Sequence, residues 1–520
     1  MLNSSSNNSS GWRDVSSFEI QSHWNNEKNH SRAHFNNQLQ FWFSCLGFAV
    51  GYGNIWRFPY MLYNNGGGVF FIPYFFCLVL IVYPIFFMEV AYGTAYKRLM
   101  DRLFEPINSK FIGVSFGINM ILFLEAVLYM CLLGWCCNFF IFSFQTPLPW
   151  HIPESEAIDG KFWKENYFRE EFLQVSTGLY DINKYVPWIM ISFIIANAIS
   201  FIAVVKGIDS VKYAVYVVIP LPYFILFILF AKGLFLEGNT IGWAFLFKAD
   251  WDKLYTLQIW RDAAAQAIFS AGITTNAMIH FGAHRTDKKS ILAPSIGIPT
   301  LNVLTSIFAS ISLFSFIGYI SHKTGVSIED MPIEGMELSF VIYPALLTTL
   351  PFANFWSVMF FLMLIAIGLS TNFAFIDPVA TFIHEILLRY KWYNYSKVWI
   401  TFSVTFMILV INLGIFATDA GYYWLKLLDH YTVGINLTIF FLIQIIIFAY
   451  CLPIEDLEQR VEDYGETFPT IYKLMIKYIC PVVAVILVSF AILNEFIHPL
   501  EMSLAARLTA IVLVSLPGVL

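Results

Sequence analysis

Apolar residues in this chain gather into long runs parted by brief polar connectors, with little of the alternation of strands or the one-sided stripe of surface helices. Runs of about 20 residues or more, enough to cross a hydrocarbon layer, lie near 41–63, 69–93, 113–143, 186–205, 211–236, 258–284, 294–321, 355–388, 397–418, 423–452, 472–497 and 502–520. The pattern predicts an all-α membrane protein of twelve transmembrane helices. Residues 1–40 are polar and rich in Ser and Asn, with no cleavable signal pattern, and read as a disordered tail.

Two of the runs are polar where lipid would demand a closed helix. The first carries LGFAVGYGNIWRFPYMLYNNGGG over 46–68, with Gly47, Gly51, Gly53, Asn54, Arg57 and Pro59. Unwound backbone survives at that depth only inside protein or against a watery cavity. Its carbonyls can hold a cation, and the amides that start the second half-helix can hold a carboxylate. A kinked helix packed through its glycines is the plainer alternative. Five spans later, residues 258–284 place Gln266, Ser270, Gly272, Thr274, Thr275 and Asn276 inside a second apolar run. Two interrupted spans in corresponding positions point to an inverted-repeat transporter with its site at the midplane, a rule drawn in part from the family named below. The repeats would be 41–236 and 258–452, with two further helices in 472–520.

Composition agrees. Of 520 residues, 58% are hydrophobic, 18% aromatic and only 13% charged, and the mean hydropathy is +0.65; soluble domains carry about twice that charged fraction. Lys97, Arg98, Arg102 and Lys110, then Arg285, Lys288 and Lys289, then Arg389, Lys391 and Lys397 fall in alternate connectors, which should be cytoplasmic together with both termini. The acidic connector at 453–471 is an exception. None of the seven cysteines lies in the large loop 151–185, which excludes a structural disulfide there. With no basic stripe among exposed aromatics, nucleic-acid binding has no support.

GFAVGYGNIWRFPYMLYNNGGGVFFIPY resembles the first two spans of the neurotransmitter:sodium symporters, the carriers of monoamines, GABA, glycine and amino acids. In matching order follow VLYMCLLGW, QTPLPW, IWRDAAAQAIFSAG, LNVLTS, IGLSTNFAFID and YYWLKLLDHYTVG. The resemblance runs over about residues 32–520 and implies a 5+5 inverted-repeat core with helices 1 and 6 broken, about two sodium sites, and a plasma-membrane location. One sodium site would use Ala49, Asn54, Ser270 and Asn302; the other Gly47, Val50, Ile367, Ser370 and Thr371. Neutral oxygens suit a singly charged hard cation. Many animal members carry Asp then Ser at the last pair, so this second site lacks one negative charge. A chloride site would take Tyr74, Gln266, Ser270, Asn302 and Ser306. Chloride-independent bacterial members have a carboxylate at the Ser306 position, so chloride dependence follows; taken singly, each of these residues could instead glue helices together.

The resemblance places the substrate among Phe48, Gly51, Tyr52, Gly53, Glu125, Tyr129, Phe269, Gly272, Thr275 and Asn372. Gly51 stands where monoamine carriers have Asp, leaving room for a substrate carboxylate at the Tyr52 and Gly53 amides. Glu125 is one turn before Tyr129 on the same face, where relatives are usually apolar. An intramembrane carboxylate is costly and suggests function: Glu125 would pair with a lysine-like side chain, or else be protonated or bonded to a neighbouring helix and merely trim the pocket. Arg57 and Asp429 match the outer gate, Arg32 and Glu385 the inner one. His280 and His284 have metal-ligand spacing but no evident third ligand.

No nucleophile elbow or H-E-x-x-H accompanies these residues, so an enzyme is excluded. The sequence is read as a sodium-coupled, chloride-dependent amino-acid symporter favouring cationic or polar substrates, whose partners are a small-molecule substrate and membrane lipid. A carrier of neutral amino acids, GABA or glycine, and a transport-inactive sensor or partner-binding protein, remain the alternatives.

Overall fold

The computed structural model describes residues 33–151, 167–331, 335–389, 396–497, 507 and 509. Arg32 and nearly all of the expected 502–520 span lie outside the described residues. Among the described residues there are helices and two single-residue bridges, Gly67 with Ala249 and Tyr185 with Thr418, but no β-strand.

Helix α1 covers Gln38–Ala49, its start capped by the Asn37 side chain, which accepts from the Gln40 N–H at 2.9 Å. After Val50 the chain resumes as one π-type stretch, Gly53–Arg57, that runs into α2, Phe58–Asn64. Then come α3 (Gly68–Tyr96), α4 (Ile112–Phe142), α5 (Pro187–Val204) and α6 (Ile208–Leu234). Helices α7 (Leu257–Ala271) and α8 (Ala277–Ala283) are separated by five residues of non-helical chain. The later helices of spanning length are α9 (Leu292–Thr324), α10 (Ala353–Arg389), α11 (Lys397–Phe416), α12 (Gly421–Cys451) and α13 (Thr470–Phe496), and shorter helices such as Asn239–Phe247 and Ile454–Glu462 lie in the connectors.

Nine of these helices, among the described residues, are long and apolar enough to cross a membrane by length and composition. Each coincides with an expected run to within a few residues. The two runs with polar interiors are divided between α1 and α2 and between α7 and α8, so neither half reaches spanning length. Helices α4, α9 and α10 are mostly enclosed by protein, whereas α6, α11 and α13 turn most of their surface outward. Phe224, Phe227, Phe406, Met407, Val482 and Phe496 are exposed on that outer surface, as a hydrocarbon solvent permits.

Helix α4 packs along α10 at the centre, and α8 lies against α3. The α3–α8 contact is backbone on backbone: a Cβ at Gly93 would stand 2.2 Å from the Ile279 carbonyl oxygen. That closeness fixes the short α8 against a full-length helix, although seven residues alone form no stable helix.

Candidate functional site

The interruptions face each other in the interior. At the first, the Gly51 N–H donates to Asn54 Oδ1 at 3.0 Å, turning the chain back on itself before the π-type turn. At the second, Gly272, Thr274 and Asn276 take φ of +66°, +74° and +61°, a region costly to residues with a Cβ. The turn is held from outside. Glu89 on α3 is fully buried, and its Oε1 accepts from the Thr274 N–H at 2.7 Å and from Gln444 Nε2 on α12 at 2.7 Å. Sequence reasoning missed Glu89, although a carboxylate within FFMEVAYG is itself a signal of a fixed internal partner.

Between the two breaks lies a small cavity of about 30 Å³, lined by Phe48, Ala49, Gly51, Gly53, Asn54, Glu125, Tyr129, Phe269, Ser270, Gly272, Thr275, Phe375 and Leu437. Most of the expected substrate residues meet here; Tyr52 and Asn372 do not line it. The Tyr52 ring is stacked between Trp56 at 4.8 Å and Tyr129 at 5.4 Å, and its hydroxyl occupies the space a Cβ at Gly368 would need, only 2.0 Å away. Asn372 is buried behind the wall with neither amide atom hydrogen-bonded. Phe375 takes that place, edge-on to Phe48 at 5.4 Å and to Tyr129 at 5.1 Å. Four residues after Thr371, it shares that residue's helix face, a signal the sequence carried. Leu437 had none.

Glu125 is the one acidic group in this wall. It is 3% exposed, and neither carboxylate oxygen has a hydrogen-bond partner. Leaving a buried acceptor without a donor costs about 1–3 kcal/mol, more for a charged group.

The oxygens expected to hold ions also converge. Asn54 Nδ2 donates to Asn302 Oδ1 at 2.6 Å and to Ser306 Oγ at 2.7 Å, while Asn302 Nδ2 donates to Ser270 Oγ at 2.9 Å. Gln266, one helical turn before Ser270, is fully buried with both amide atoms unpartnered. Further along, Ser370 Oγ donates to the Ile367 carbonyl at 2.9 Å, and Thr371 Oγ1 reaches the carbonyls of Ile367 at 3.1 Å and Gly47 at 3.4 Å. Val50 and Ile367 border one small void. All of these are neutral oxygens, the donor set that suits a monovalent cation.

Residues 32–504 match the model of the sodium:neurotransmitter symporter family. The chain belongs to that family. Members are transporters, not enzymes, and the chain is an integral membrane protein. It is 28% identical over 460 residues to the sodium- and chloride-dependent GABA transporter ine of Drosophila melanogaster, covering 84% of this chain and 48% of that relative. The chain thus spans about half that relative's length. The human sodium- and chloride-dependent neutral and basic amino acid transporter B(0+) is 28% identical over 470 residues, 81% of this chain and 73% of the relative. The creatine transporter of Torpedo marmorata is 30% identical over 430 residues, 78% and 69%.

The two ends of this sodium:neurotransmitter symporter chain differ. Arg57 lies over the Phe269 ring, 4.5 Å from its centroid, and is not ion-paired with Asp429, which is exposed. Beyond them is a vestibule of about 190 Å³ that also touches Asp262, His430 and Asn494. At the other end the Phe35 segment is tied to the loop after α8. The Phe35 N–H donates to the His284 carbonyl at 3.1 Å, its carbonyl accepts from Thr286 Oγ1 at 3.3 Å, and its ring meets Phe41 and Phe281 edge-on. His280 and His284 do not face a common ligand position: His280 Nε2 is 2.8 Å from Asp377 Oδ2, and His284 Nδ1 is bonded to the His280 carbonyl.

Glu385 sits near the short helix Met100–Phe104, where it acts on Asp101. Burial, then the Glu385 charge, push Asp101 up to about 6 from the usual 3.8, against the pull of Arg102 and Arg389. The folded state therefore holds a proton that the unfolded chain releases, and the resulting stability is present at about pH 4 and lost as pH rises through about 6. The shift corresponds to about 3 kcal/mol. Thermal unfolding of the detergent-solubilised protein is expected to give a falling Tm across that window, and Asp101→Asn to flatten it. An unchanged slope in the variant would assign it elsewhere.

Proposed function

We propose that the chain is a sodium-coupled, chloride-dependent symporter of amino acids, with Glu125 favouring substrates that carry a cationic or strongly polar side chain. The observation that carries the substrate preference is the buried, donor-free Glu125 carboxylate in the cavity wall. The substrate carboxylate would sit at the Tyr52 and Gly53 amides and its side chain toward Glu125. Sodium would enter at Ala49, Asn54, Ser270 and Asn302 and at Gly47, Val50, Ile367, Ser370 and Thr371. Chloride would bind among Tyr74, Gln266, Ser270, Asn302 and Ser306, where it supplies the negative charge that balances sodium. The relative whose name includes basic amino acids is consistent with this preference.

In this reading α1 and α2, and likewise α7 and α8, are halves of broken spans in a twelve-helix, two-repeat bundle (41–236 and 258–452), with both termini in the cytoplasm. The unpaired Arg57 and Asp429 and the tied Phe35 segment support an outward-facing state. Sodium would stabilise it, and substrate would permit Phe269 and Tyr129 to close. Arg32 and Glu385 would then part on the inner side.

A small neutral substrate, such as glycine or GABA, is the second reading, favoured by the tightness of the 30 Å³ cavity. Uptake of radiolabelled lysine, arginine, leucine, glycine and GABA into proteoliposomes, with sodium and then chloride replaced, tests both. Lysine or arginine accumulation that needs both ions is the expected result. Uptake of glycine or GABA alone would replace the first reading with the second, and uptake of nothing would point to a sensor.

A further inference from the structure

The central cavity measures about 30 Å³, room for about two waters, so the side chain of a larger amino acid must displace part of the wall. Most of that wall is backed by protein. Phe375 is wedged edge-on against Phe48 at 5.4 Å and Tyr129 at 5.1 Å, and Tyr129 is stacked on Tyr52 at 5.4 Å. Ser270 Oγ is held by Asn302 at 2.9 Å, and Thr275 Oγ1 donates to the Gly272 carbonyl at 2.6 Å.

Two wall residues differ. Phe269 and Leu437 line both the central cavity and the vestibule of about 190 Å³ beyond it, and are the residues the two spaces share. A side chain that grows past them enters open volume instead of packed protein. Phe269 is clamped: Arg57 lies over its ring at 4.5 Å, and a Cβ at Gly53 would stand 3.4 Å from a carbon of that ring.

Leu437 has no such clamp. It opens the regular part of α12 directly after the π-type stretch Asp429–Asn436, and its N–H donates to the Thr432 carbonyl, one residue further back than an α-helix would use. Three residues earlier, Gly434 lines the vestibule; it is exposed, and a Cβ there would meet nothing within 4 Å. The space behind Leu437 is therefore left open by a missing side chain. Leu437 itself is 6% exposed, a thin aliphatic partition between two voids.

We infer that Leu437 is a specificity-determining residue that sets how long a substrate side chain the central cavity admits. The inference rests on the amino-acid reading above, but not on the charge that Glu125 selects. With the substrate carboxylate at the first break, a short side chain ends inside the cavity, whereas a long one is stopped by Leu437. Leu437→Ala takes three carbons from the partition and joins the cavity to the vestibule, and each further substrate methylene then buried is worth about fourfold in binding. Leu437→Phe thickens the partition and acts in the opposite sense.

The test measures uptake by the full-length protein in proteoliposomes for two series that lengthen one methylene at a time: alanine, 2-aminobutyrate, norvaline and norleucine, and 2,4-diaminobutyrate, ornithine, lysine and homolysine. The thermal shift that each compound gives with the solubilised protein supplies a binding readout that needs no transport. Leu437→Ala is expected to raise kcat/KM for the longest member relative to the shortest by about tenfold or more, and Leu437→Phe to lower that ratio by a similar factor. Opposite shifts of a ratio cannot both come from misfolding. A length order that neither variant moves, in uptake or in thermal shift, would overturn the assignment while leaving the amino-acid reading in place. Silence of the whole diamino series, with the neutral series shifting as expected, would remove the cationic preference and uphold Leu437. No response to either series by either readout would overturn both.

Discussion

Glu125→Gln is expected to abolish sodium-driven uptake of lysine and arginine, lowering kcat/KM by at least about a hundredfold. A cationic side chain brought against a buried carboxylate gains an ion pair, and breaking such a pair by neutralising one partner costs about 3–5 kcal/mol. Glutamine keeps the shape and two polar atoms but offers no charge to offset desolvation of the incoming ammonium. Leucine or glycine uptake, measured in the same vesicles, should hold or rise. If cationic uptake survives the substitution, Glu125 serves only to limit the volume of the pocket, and the preference must come from Thr275 or from the vestibule.

Asp377→Asn should be the most damaging single change to the fold outside the cavity. Asp377 on α10 is 1% exposed, with His280 of α8 at 2.8 Å on one oxygen and Lys397, which opens α11, at 2.8 Å on the other. Gly207, at φ +60°, comes so close that a Cβ there would lie 2.4 Å from both Asp377 Oδ1 and Lys397 Nζ. Neutralising Asp377 leaves the Lys397 ammonium without its carboxylate in a poorly hydrated place, a loss of about 3–5 kcal/mol. That is a large share of a typical folding free energy. A fall in Tm of the solubilised protein and in the amount reaching the membrane should follow. Lys397→Met combined with Asp377→Asn should recover part of it, because removing both charges removes the desolvation cost. No recovery in the double variant would mean that the His280 contact dominates.

Long apolar runs made the spanning helices legible, since few other structures accommodate some twenty consecutive apolar residues. The positions of the two interruptions were legible as well, because Gly, Asn and Thr at that depth have no lipid-facing use. Side-chain direction was harder. Asn372 follows Thr371 directly and so points about 100° round the helix from it, whereas Phe375 returns to the same face. Partners across the bundle were not legible at all. Nothing near Glu89 in the chain announces Gln444, and nothing near His280 announces Asp377, because such pairs are created by packing. Gly368 likewise acquires meaning only when the Tyr52 hydroxyl is found beside it. The gate expectation rests on Arg57 and Asp429, which stand apart in this state, and on Arg32, which is outside the described residues.

The carboxylate that braces the turn before α8 also sets an order of events in biosynthesis. Glu89 is made 185 residues before Thr274 and 355 before Gln444. At about 5–20 residues per second, a nascent chain waits roughly 20–70 s between the carboxylate and its last donor. Throughout that interval a charged or protonated side chain sits in a half-built bundle with its partners still in the ribosome or unthreaded. The chain therefore has a long translational window in which translocon residence and chaperone capture bear on yield alongside final stability.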